Sequence, residues 1–109
     1  MPETPNVRSE TYSVSADFLE RLNTFITAPD SRQQDVFSRH IIALDDTLQF
    51  EWIIKHDLFE GVISQLHLFN PVTWHLVAGT ERPISEPEQI FGTYDVWFND
   101  QHYQLTVTR

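Results

Sequence analysis

The chain has 109 residues, 40% hydrophobic and 13% aromatic, enough to bury one core in a single domain. It has no cysteine, which removes disulfides, thiolate nucleophiles and Cys-ligated zinc or iron–sulfur sites, and which suits a reducing, cytoplasmic setting. A formal charge of −9 repels phosphate backbones and anionic bilayers, so neither direct nucleic-acid binding nor membrane binding is expected.

The opening MPETPNVRSE has no basic start and no apolar run, so it carries no visible export signal. Residues 1–12 hold two prolines among mostly polar residues and read as a flexible tail, leaving 13–109 as the domain. In the next stretch Phe18, Leu19, Leu22, Phe25 and Ile26 recur at helical spacing. Ser15 is placed to cap the first turn, Asp17 suits it, and Pro29 lies just beyond the last. The apolar stripe is wide enough to lie on a sheet.

Residues 36–44, VFSRHIIAL, fit a helix or a strand, and the strand is preferred. A two-residue turn at Asp45-Asp46 would pair Ala43 with Leu48, Ile41 with Phe50 and Phe37 with Ile54, apolar against apolar. In 48–55 Leu48, Phe50, Trp52 and Ile54 alternate with polar residues, as in a half-buried antiparallel strand, which points Glu51 to solvent.

The stretch QLHLFNPVTWHLV, 65–77, sets His67 and His75 on either side of Asn70-Pro71. A type I turn over Asn70–Thr73 pairs Phe69 with Trp74 and His67 with Leu76, which sends the two imidazoles to opposite faces. One face of this hairpin presents Ile63, Phe69, Trp74, Leu76 and Ala78, the other Val62, Leu66, Leu68 and Val77. Both are apolar, so the second needs cover from residues 79–92, sheet curvature, a ligand or a partner chain.

In the long connection 79–92, Ser85 and Glu88 have capping-box spacing and Pro87 suits a first turn, which predicts a short helix near 86–91. The last hairpin, TYDVWFNDQHYQLTVT, turns at Asn99-Asp100, both tolerant of positive φ. That register pairs Tyr94 with Leu105 and Val96 with Tyr103, and it leaves Asp95 and Trp97 on the polar face with His102 opposite Trp97.

No HExxH, GxSxG or P-loop pattern occurs, the five histidines are scattered, and three glycines are too few for a phosphate-cradling loop. Neither a cofactor nor a metal site is expected. The acids fall into two blocks: Asp45, Asp46, Glu51, Asp57 and Glu60 against Lys55 alone, and Glu81, Glu86, Glu88, Asp95 and Asp100 against Arg82 alone. The expected fold is α+β, an N-terminal helix on one antiparallel meander of five or six strands. The expected function is a non-enzymatic protein-binding module of inhibitor, immunity or chaperone type. Its contact candidates are Glu51, Asp95, Trp97, Glu86 and Glu88, facing a basic protein partner, with self-association left open. The alternative is a small-ligand or minor enzymatic domain with a pocket between helix and sheet.

Overall fold

The computed structural model describes residues 7–28 and 36–109. Helix α1, Ala16–Thr27, forms where the apolar spacing places it. Ser15 is extended and its Oγ accepts the Phe18 N–H at 3.1 Å, a cap worth about 1 kcal/mol. Phe18 and Leu22 are buried. Pro29 and residues 1–6 lie outside the described residues.

The described residues also form seven strands: β1 (Val7–Ser13), β2 (Val36–Ala43), β3 (Gln49–Asp57), β4 (Gly61–Asn70), β5 (His75–Pro83), β6 (Gly92–Phe98) and β7 (Gln101–Thr108). The α+β class holds, but the single meander does not. The strands form two sheets, β2-β3-β4-β5 and β1-β7-β6. The chain leaves the first sheet at Pro83, makes a 3-10 turn over Pro87–Ile90, and re-enters as the β6–β7 hairpin. Residues 7–12, expected in the tail, belong to β1, which runs parallel to β7 from Val7↔His102 to Ser13↔Thr108. Local turn signals cannot announce a partner this distant in sequence.

The core lies between the sheets. Phe50, Trp52, Ile54, Leu66 and Leu68 line the larger sheet, Tyr94, Val96, Leu105 and Val107 line the smaller one, and α1, packed against the 3-10 turn, adds Phe18 and Leu22 to the same core. A polar chain runs through this apolar layer. Trp52 Nε1 donates to Ser64 Oγ at 2.8 Å, Ser64 Oγ lies 2.6 Å from the Tyr94 hydroxyl, and that hydroxyl donates to the Ile90 carbonyl at 3.0 Å. Tyr94 spends its one proton on Ile90, so Ser64 donates to Tyr94 and every link runs the same way. Burial pushes the Tyr94 hydroxyl above its ordinary range, which keeps it a donor. Outside this chain, the Arg82 guanidinium sits 3.8 Å from the centre of the Tyr94 ring and donates to Thr93 O at 2.7 Å and to Phe91 O, tying β5 to β6.

Two hairpin registers depart from expectation. At β2–β3 the Asp45 carboxylate accepts N–H groups from Thr47 and Leu48, and Leu44 N–H donates to Leu48 O. The loop gains one residue, so Ile42 rather than Ile41 faces Phe50, and Ile41 turns outward beside Glu51. A one-residue slip reverses every side chain of the strand.

At β4–β5 Asn70 starts the turn as expected, its Oδ1 accepting from Val72 N and Thr73 N, but the loop holds four residues and closes with Trp74 N–H donating to Asn70 O at 2.8 Å. Trp74 takes φ +58, a left-handed conformation that costs a bulky residue roughly 1–2 kcal/mol. The pairs are therefore Asn70↔His75 and Phe69↔Leu76. A register shift then leaves Val77 unpaired and turns Ala78 inward opposite Leu68. The outer side of this hairpin keeps Trp74 and Leu76 exposed, while Phe69 and Ile63 are buried. The short helix is the 3-10 turn, with the Gln89 side chain accepting from Ser85 N and Glu86 N in place of a Ser85–Glu88 box.

Ser64→Ala is expected to lower unfolding stability by about 1–3 kcal/mol, because the Trp52 N–H loses its acceptor and the Tyr94 oxygen its donor in a buried site. A lower urea midpoint at unchanged slope would show this; a loss under about 0.5 kcal/mol would mean that the chain of hydrogen bonds carries little of the fold.

Candidate functional site

The β6–β7 hairpin turns where its sequence dictates. Asn99 and Asp100 take φ +51 and +61, the type I′ pattern, and Val96 pairs with Tyr103 and Tyr94 with Leu105 on the core side. The outward residues are Asp95 opposite Gln104 and Trp97 opposite His102. Trp97 is 62% exposed, yet its ring lies parallel to the His102 imidazole, 7° between planes and 4.4 Å between centres. His102 is held from its other side, with Nε2 2.7 Å from Asp95 Oδ1, and Gln104 Nε2 donates to that same oxygen at 3.0 Å. These two contacts, the Gln104 amide foremost, hold the Asp95 carboxyl below its ordinary range against a partial desolvation. An exposed indole thus stacks on a histidine that is held by a carboxylate, which an amide holds in turn.

The other expected contact residues are placed elsewhere. Glu51 does not look into solvent. It occupies an interior strand of the larger sheet, between Ile41 on β2 and His67 on β4, and it is buried. Arg39 pairs with it, Nε to Oε2 at 2.7 Å, and His67 Nδ1 stands 3.6 Å from Oε1. Glu51 therefore does not share a sheet with Asp95 and Trp97. Glu86 and Glu88 are exposed and, together with Glu20, Leu19 and Asn23, line an open groove between α1 and the 3-10 turn.

Two acids of the first block shape turns. The Asp45 carboxylate caps the β2–β3 loop, and the Asp57 Oδ2 accepts from Phe59 N and Glu60 N; both carboxyls are held low chiefly by these backbone donors. Their place in the sequence reflects turn chemistry at least as much as surface charge.

A groove on the outer side of the larger sheet, lined by Arg39, Glu51, His67, Phe69, Trp74 and Leu76, was not anticipated from sequence. The signal was present in DLFEG: a turn from Asp57 to Gly61, whose φ is +77, sets Glu51 opposite His67. His67 and His75 do lie on opposite faces, since His75 pairs with Asn70, an odd number of residues from His67. Among the described residues no three His, Asp or Glu side chains gather as a metal ion would require.

His40 faces inward, with Nδ1 2.8 Å from the Tyr12 hydroxyl and its ring stacked 5.2 Å from Trp52. Burial lowers its pKa from 6.5. The unfolded chain then takes up the proton first, so stability rises with pH across this window and is lost as pH falls below about 6.5. Unfolding stability is expected to drop between pH 7.5 and 5.5 more steeply in the natural chain than in His40→Gln; an equal drop in the two chains, measured by urea unfolding at both pH values, would refute this origin.

Compared with known proteins, the chain matches no family model, no curated protein and no solved structure, and its function has to be argued from its own residues.

Proposed function

We propose that this chain is a non-catalytic acidic module that binds a basic protein, docking through the outer face of the β1-β7-β6 sheet with Trp97 at its centre. One observation carries the proposal: Trp97 is exposed and yet stacked on His102, which Asp95 in turn holds through Nε2. Tryptophan is enriched among the residues that dominate interface energies. An indole already ordered by stacking has less rotamer freedom to lose on docking, a saving of about 0.5–1.5 kcal/mol per side chain. The net charge of −9 supports the choice of a basic partner, because a field of that sign raises encounter rates with cations.

The alternative pocket between helix and sheet finds less support, since Leu22, Phe50, Trp52 and Leu105 in that layer are fully buried. The 3-10 turn carries Glu86 and Glu88 as peripheral charge that steers without making central contact. Among the described residues no helix is long and apolar enough to cross a membrane. A cytoplasmic setting, suited to a chain without cysteine, belongs to the same proposal, as does an inhibitor-like or chaperone-like role.

Capture from the native host, with the natural chain and Trp97→Ala as parallel baits, tests it. The natural chain should retain a basic protein, and Trp97→Ala should speed its dissociation about tenfold or more, equivalent to at least ~1.4 kcal/mol. The association rate should fall with added salt as the Debye length shrinks from ~10 Å at 0.1 M to ~3 Å at 1 M. A partner held equally well by Trp97→Ala, with a salt-independent association rate, would remove the proposal.

A further inference from the structure

The outer face of the larger sheet has a row of cross-strand neighbours, Ile41 on β2, Glu51 on β3, His67 on β4 and Gly79 on β5. The Glu51 side chain is only 10% exposed. Its two oxygens are used unequally. Both Arg39 Nε and Nη2 converge on Oε2, whereas Oε1 has His67 Nδ1 at 3.6 Å, too far for a hydrogen bond. A nearly buried carboxylate thus keeps one oxygen able to accept. The His67 ring lies against β5 where a side chain would otherwise stand: a Cβ on Gly79 would come within 3.0 Å of its Cδ2 and 3.2 Å of Leu66 O.

Beside this oxygen stand Phe69 and Trp74, ring centres 6.1 Å apart and 24° from parallel, with Leu76 completing the wall. Trp74 is 74% exposed and occupies its place through the left-handed backbone at the end of the β4–β5 loop. Strain of this kind persists only where the surroundings impose it, and it concentrates at binding sites. The groove holds about 210 Å³, below the roughly 300–1,000 Å³ of pockets for drug-sized ligands, so it suits one side chain better than a whole small molecule.

The lining selects among side-chain classes. An anion would sit against Glu51 in the field of a chain carrying −9, with Arg39 already committed through two of its nitrogens. An apolar group would desolvate Oε1 without giving it a donor. A planar cation meets both demands, donating to Oε1 while stacking on an indole, and a guanidinium does this better than an ammonium. We propose that this groove takes an arginine side chain of the basic partner, with Glu51 Oε1 as acceptor, Trp74 as stacking surface, and Leu76 and Phe69 against the aliphatic stem. The inference rests on the partner's being basic, as argued above, but it concerns the sheet opposite the one that carries Trp97.

Nα-acetyl-arginine-N-methylamide titrated into the ¹⁵N-labelled full chain is the test. Saturable shifts are expected at the Trp74 indole N–H and at the Glu51 and His67 amides, with Kd in the millimolar range. The norleucine and glutamate analogues should give none, and the lysine analogue should bind severalfold more weakly. Glu51→Gln and Trp74→Ala should each weaken the arginine probe about tenfold, and Trp74→Phe should restore part of the loss. Trp74 is exposed, so its variants report on binding even if Glu51→Gln fails to fold. Trp97→Ala should leave the titration unchanged, which separates this site from the other. No saturable shift with the arginine probe, or equal shifts with the norleucine, glutamate or lysine analogue, would overturn the assignment. If Trp97 still governed capture of a basic partner in that case, the groove alone would be abandoned.

Discussion

The arrangement depends on the buried Tyr94 hydroxyl. It is the junction where the larger sheet, through Ser64 and Trp52, meets the smaller sheet and the 3-10 turn, through Ile90 O. Two sheets packed only by apolar contact could slide by a residue with little change in buried area. A one-way chain of four groups cannot, because any slip leaves several donors or acceptors desolvated and unpaired. Arg82 reinforces the same junction from outside, its guanidinium on the Tyr94 ring and its N–H groups on the carbonyls of Phe91 and Thr93. With the inner faces locked, the outer faces of both sheets are rigid surfaces on which side chains can be placed accurately. The two candidate surfaces both use that rigidity.

What could be read in the sequence was local. Ser15 and the Phe18–Leu22 spacing define a helix within a few residues, and Asn99-Asp100 defines a hairpin and its register within four. The pairing of Trp97 with His102 follows from that register, so the candidate surface on the smaller sheet is legible in part from the sequence. The remainder was non-local or turned on one residue. Strand β1 has no hairpin partner, and its place is decided by a strand 95 residues further on, from Val7 to His102. The β2 register hinges on whether Asp45 caps a three-residue loop, and the groove hinges on Trp74 accepting a backbone conformation that its side chain disfavours. Propensity argues against that conformation, and the closure of the loop onto Asn70 O overrides it.

Acidity also has more than one cause in this chain. Asp45 and Asp57 cap turns, Asp95 orients His102, and Glu51 is buried against Arg39, while Glu86 and Glu88 are exposed at the surface. A count of carboxylates therefore overstates the number available to meet a partner. The charge acts at long range through its sum, and at short range through very few groups.

Strand β7 lies in the middle of its sheet, with β1 on one side and β6 on the other. During synthesis on a ribosome, β1 emerges early and has nothing to pair with until residues 101–108 follow. The β2-β3-β4-β5 meander, built from neighbouring hairpins, can form in the meantime, with Phe50, Trp52, Leu66 and Leu68 still uncovered on its inner side. Closing a loop of about ninety residues is slow relative to hairpin formation, and it leaves a nascent chain whose most hydrophobic surface waits for its last strand. The helix α1, a local element between β1 and β2, needs no distant strand to form, and its stripe of Phe18, Leu22, Phe25 and Ile26 packs on that same core.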